Sequence, residues 1–98
     1  MIRESISEIN PEALLVDGFD EAIIGIAERI GLESIVAYDV DKIIEILMKD
    51  MEVTEDMLED GQSIDDLKTE MAYEYFYFNI QGAWMGEHTP IFIKKIET

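Results

Sequence analysis

Hydrophobic residues fall in short β-type runs up to Tyr38 and recur every three to four positions after it, so the chain divides into a strand-forming half and a helix-forming half. Residues 1 to 10 read as a loose arm. Asn10-Pro11 is a turn signal before the apolar run Ala13-Leu14-Leu15-Val16. Asp17-Gly18 suits a tight hairpin turn, where glycine takes positive φ without steric cost; a loop ending near Asp20 is the second reading. Ala22 to Ala27 is nearly all apolar and rich in isoleucine, which predicts a strand buried on both faces. A turn at Ile30-Gly31-Leu32-Glu33 leads to Ser34-Ile35-Val36-Ala37-Tyr38, a second β-branched run able to pair antiparallel with the first.

From Asp39 onward the period is helical. Asp39 is a good N-cap, and Val40, Ile43, Ile44, Leu47 and Met51 share one face of a helix over about 40–51. Glu45 and Lys49 stand in the favourable i,i+4 order on its outer side. Thr54 caps a short helical turn through Met57 and Leu58, which Asp60-Gly61 breaks. Ser63 and Asp66 then open the longest helix, 64–81, as a variant of the capping box with Asp in place of Glu. Ile64, Leu67, Met71, Tyr75 and Phe78 form an apolar seam on it, flanked by Ala72, Phe76 and Asn79. Seven of the nine aromatic residues lie between Tyr73 and Phe92, and the seam makes that cluster chiefly core. Gly82 is placed to end the helix in the left-handed conformation. Thr89-Pro90 opens an edge strand, Ile91 to Ile96, protected by Lys94 and Lys95. The expected fold is a single α+β domain: a small antiparallel sheet of three or four strands with the two main helices packed on one face.

Charge changes the picture more than any other bulk property. Twenty-three Asp and Glu stand against seven Lys and Arg, a formal net charge of −16. So negative a surface disfavours direct contact with nucleic acid or anionic membrane. The absence of cysteine removes disulfides, thiolate nucleophiles and thiolate metal sites. No apolar run approaches the roughly 18 residues that span a bilayer and the N-terminus lacks an apolar leader core, so a cytosolic location is expected.

Candidate chemistry is sparse. Asp39-Val40-Asp41 is followed by Lys42 and Ile44 where a calcium loop needs an acid and a glycine, so no metal is expected. The lone histidine, His88, has no serine in a nucleophile-elbow context, and no phosphate-cradling glycine motif occurs. Neither catalysis nor a cofactor is expected. Asp50 to Glu70 is more informative: nine acids, among them Glu55, Asp56, Glu59, Asp60, Asp65, Asp66 and Glu70, stand against Lys68 alone. Such a row can imitate the spaced phosphates of a duplex and enter the basic cleft of a nucleic-acid-binding protein; the plainer reading is a solvated face that maintains solubility. In the loop Ala83 to Thr89, Trp84, Met85 and His88 are either partner contacts or a lid on the open end of the core.

Three segments also carry a resemblance. NPEALLVDGFDEAIIGIAERIG, IVAYDVDKIIEILMKDM and EYFYFNIQGAWMGEHTPIFI resemble a family of short acidic proteins encoded by tailed bacteriophages and prophages, over roughly residues 10 to 93. The more specific pieces are Asp17-Gly18-Phe19-Asp20-Glu21-Ala22, Tyr38-Asp39, and Glu74-Tyr75-Phe76 with Phe78-Asn79, continued by Gly82-Ala83-Trp84, Gly86-Glu87 and Thr89-Pro90. The chain departs from that pattern by an extension around Leu58 to Ser63. The resemblance implies an origin, in the cytosol of a bacterial host, and no particular catalytic or binding residue. With the charge, it leads to the expectation of a non-enzymatic accessory protein that binds a host or defence protein with a basic surface, as a DNA mimic or inhibitor. A small ligand-binding or enzymatic domain using buried acids near Asp17, Asp20 and Asp39 is the alternative, and a structural homo-oligomer subunit the third reading.

Overall fold

A computed structural model of the chain describes residues 1–83 and 85–96. It has the α+β fold, with helices α1 (Ile2–Ile9), α2 (Val40–Lys49) and α3 (Ile64–Tyr75) and a three-stranded sheet of β1 (Ile23–Arg29), β2 (Leu32–Asp39) and β3 (Ile91–Ile93). β2 is central. β1 and β2 pair antiparallel across the two-residue turn Ile30-Gly31, where Gly31 takes φ +74°, and Ile26 lies opposite Val36. β3 runs parallel to β2, with Ala37 opposite Ile91 and Tyr38 opposite Phe92, so the sheet is mixed rather than antiparallel. A parallel neighbour needs a long crossover, and the whole α2–α3 region supplies it.

Several local expectations hold. Asp39 caps α2 by accepting from the Asp41 N–H. The capping box at α3 is complete: Ser63 Oγ accepts from the Asp66 N–H, and Asp66 accepts from the Ser63 N–H. Glu45 pairs with Lys42 at 3.4 Å, whereas the sequence put it with Lys49.

Others are corrected. The loose arm is α1, whose Ile6 is buried in the core and whose Arg3 grips Asp20 through two hydrogen bonds of 2.7 and 2.8 Å. Asp17-Gly18 turns into a 3-10 segment, Asp20–Ala22, and joins no two paired strands, so the loop reading is the correct one. β1 is an edge strand, and Ile24 is exposed. β3 stops at Ile93, short of Ile96.

The largest correction concerns the long helix. Its buried residues are Ala72, Phe76 and Ile80; the sequence places Ala72 and Phe76 only as flanks of the seam and does not place Ile80, while the third expected flank, Asn79, is exposed, Tyr75 is 48% and Phe78 80% exposed. Four residues overshoot one α-helical turn by about 40°, so a row at i, i+4, i+8 drifts off a face. The last segment, Phe76–Gln81, is a π-helix, whose wider turn cancels that drift and returns Ile80 to the core. Gly82 follows in right-handed conformation, φ −75°, and its N–H donates to Tyr77 O at 3.0 Å. A Cβ there would lie 2.8 Å from Tyr77 O, so close backbone approach, not positive φ, requires the glycine.

The core joins β2, α2 and α3 through Val36, Tyr38, Val40, Ile43, Ile44, Ala72 and Phe76. Phe92 completes its aromatic centre, stacked on Tyr38 at 5.8 Å and edge-on to Phe76 at 5.3 Å. No helix among the described residues is long and apolar enough to cross a membrane.

Candidate functional site

The acids of the stretch are all on the surface. Glu55, Asp56, Glu59 and Asp60 lie in and after a 3-10 turn, Glu55–Met57, and Asp65, Asp66 and Glu70 lie on α3; all seven are exposed. Gln62 joins the two groups: its Oε1 accepts from the Glu59 N–H at 3.2 Å and its Nε2 donates to Glu70 at 3.3 Å. The Gln62 side chain, just before the Ser63 cap, thereby reaches along the helix to Glu70. Thr54 contributes a hydrogen bond to Asp56. The one base in the stretch, Lys68, is half-buried on α3.

The loop before β3 borders an apolar cleft of about 230 Å³, lined by Leu14, Leu15, Val16, Ile80, Met85 and Phe92 with Asp17, Asn79 and Thr89 as its polar groups. Met85 is 72% exposed, and its N–H donates to Thr89 Oγ1 at 2.8 Å. Trp84, expected either as a contact or as a lid, lies outside the described residues.

His88 serves as an internal pin. Asn10, buried beneath it, donates from Nδ2 to Ser34 O at 2.8 Å, and its Oδ1 accepts from the Glu12 N–H at 3.0 Å. These two bonds fix the orientation of the amide, so Nδ2 is the atom that meets His88 Nδ1 at 3.2 Å and donates to it. Nε2 therefore carries the ring proton and points it at Glu12 Oε2, 3.1 Å away. Arg29 holds the same loop by donating to Glu33 O and Glu87 O, and Leu14 N–H donates to His88 O. Glu12, Glu33 and His88 do bring one ligand atom each within 4.8 Å of one another. A cation at Nε2 requires the lone pair there and a proton on Nδ1, the opposite of what the Asn10 amide imposes. The cluster is built to hold the loop against the N-terminal segment.

Of the carboxylates considered for acid–base work, Asp17 and Asp20 both meet Arg3, at 3.5 and 2.7 Å, with Asp17 fully exposed, while Asp39 is the α2 cap and meets Lys95 at 3.7 Å. The Arg3 hydrogen bonds hold the Asp20 carboxyl below its ordinary pKa. Among the described residues that line the cleft, Asp17 alone bears a carboxylate.

No family model, curated protein or solved structure matches the chain.

Sequence reasoning missed Asn10 and Arg3 as organising side chains. In the sequence Asn10 reads only as a turn signal. Ile2, Ile6 and Ile9 recur at spacings of 4 and 3, a helical signal hidden by the brevity of the segment.

Proposed function

We propose that the chain is a non-enzymatic acidic accessory protein that works by binding a protein partner with a basic surface. The carrying observation is the Gln62 bridge, which ties the Glu59 N–H at the end of the acidic 55–60 turn to the Glu70 carboxylate of α3, with all seven acids exposed. Closely set like charges focus potential and accelerate encounter with a cationic partner. The resemblance to bacteriophage proteins makes a host or defence protein the target class, and a nucleic-acid-binding protein fits best, because a carboxylate row occupies the same basic cleft as a phosphate backbone.

The test is a comparison of the native chain with a variant carrying Glu55→Lys, Asp56→Lys, Glu59→Lys and Asp60→Lys as baits in a bacterial host lysate. Basic proteins retained by the native chain should be lost with the variant. Equal retention of the same proteins by both baits rejects the reading.

The apolar cleft beside Met85 favours a second reading, a small-ligand domain, though without the buried carboxylates that the sequence suggested for it. Saturable binding of a small apolar probe that raises the melting temperature would move the weight to that reading.

A further inference from the structure

The row Ile64, Leu67, Met71, Tyr75 and Phe78 is an apolar seam in the sequence that the fold covers only in part. None of the five belongs to the core cluster or packs against it among the described residues. Leu67 and Met71 are half-buried, Ile64 and Tyr75 are exposed, and Phe78 stands 80% in solvent. Within the π-helical segment Phe76 and Ile80 face the core while Phe78 faces solvent. Over its fourteen residue steps the row runs for about 21 Å along the axis, close to four turns. Glu70 and Glu74, both exposed, lie on the solvent side of the row.

We propose that this ridge is the docking site for an amphipathic helix of the partner whose polar face is basic. The inference rests on the acidic-binder reading and assigns its partner a shape. Charge complementarity selects the occupant. A second copy would bring another formal charge of −16 against the same acids, whereas Lys and Arg beside an apolar stripe would pair with Glu70 and Glu74 while their stripe covers the ridge. The element also selects a helix over a strand, since α3 offers no free backbone edge for strand addition and its side-chain ridge matches the groove of another helix. The molecule has surface to spare: it exposes 6989 Å², against about 5,700 Å² for a compact monomer of its mass.

Two synthetic 18-residue peptides of identical Leu and Lys composition test the assignment by fluorescence anisotropy at physiological ionic strength. One has Leu at helical i, i+3, i+4, i+7 spacing, and the other has the same residues shuffled to abolish any apolar face. The native protein should bind the patterned peptide at least tenfold more tightly. A Tyr75→Ser, Phe78→Ser variant with an unchanged circular dichroism spectrum should lose that preference, while Ile30→Ser at the hairpin tip should retain it. Equal binding of both peptides by the native protein overturns the ridge and leaves the electrostatic reading standing. Binding of neither overturns both. Concentration-dependent self-association of the free protein that Phe78→Ser removes assigns the ridge to a second copy and overturns the proposal.

Discussion

Tyr38 shows how one side chain can tie two layers together. It is fully buried, stacks on Phe92, and its hydroxyl accepts from the Val16 N–H at 2.8 Å, which fastens the segment before Asp17 to the sheet. Burial pushes the phenol above its ordinary pKa, opposed in part by the Val16 hydrogen bond. A raised folded-state pKa means that the contribution of the neutral phenol is complete below about pH 10 and is lost as pH rises through the folded value. Tyr38→Phe leaves the Val16 N–H without its acceptor and should cost about 1–2 kcal/mol at neutral pH. It should also lose less stability than the native chain above pH 10. Urea titrations at pH 7 and pH 10.5 check both; curves for the two proteins that stay parallel across that range would contradict the assignment.

At the scale of elements, the end of the long helix is where local preference and packing diverge. The sequence placed Gly82 as a left-handed cap, and that expectation predicts a penalty for Ala from backbone conformation. The observed φ is right-handed, so the penalty arises instead from the 2.8 Å approach of a Cβ to Tyr77 O. Because the obstructing atom is backbone, Gly82→Ala must open the π turn and should cost about 1–3 kcal/mol, within the range for overpacking. The accompanying shift of Ile80 should be visible in the methyl region of an NMR spectrum. A variant within about 0.5 kcal/mol of the native chain in chemical denaturation would show that the π turn relaxes freely. The same element explains why the apolar seam was legible and its role was not: Ile64, Leu67, Met71, Tyr75 and Phe78 obey helical spacing, but spacing marks a face without saying what covers it.

For the molecule as a whole, shape and charge act together. The Cα radius of gyration is 15.9 Å, against about 13 Å for a compact chain of this length, and the longest extent is 51 Å. An elongated body keeps like charges farther apart than a sphere does, but a formal charge of −16 still repels itself at low ionic strength. Raising salt from about 0.02 M to 0.3 M shortens the Debye length to below about 10 Å, so the melting temperature should rise by several degrees. A melting temperature that falls over that interval would place the net electrostatic contribution on the stabilising side, through pairs such as Arg3 with Asp20.

By itself the sequence determined what depends on neighbours within a turn or two: the Asp39 cap, the Ser63–Asp66 box, the Ile30-Gly31 turn and the acidity of the Glu55–Glu70 stretch. These are local because capping bonds, glycine conformations and charge density are set by adjacent residues. The tertiary structure decided the rest. The parallel placement of β3, the docking of α1 through Arg3 and Ile6, the Asn10–His88 pin and the choice of the Ala72–Phe76–Ile80 row as core all join residues far apart in the chain. Several faces of comparable apolarity competed for one small core, and only the packing of β2, β3 and the two longer helices against each other determined which was buried and which was left for solvent.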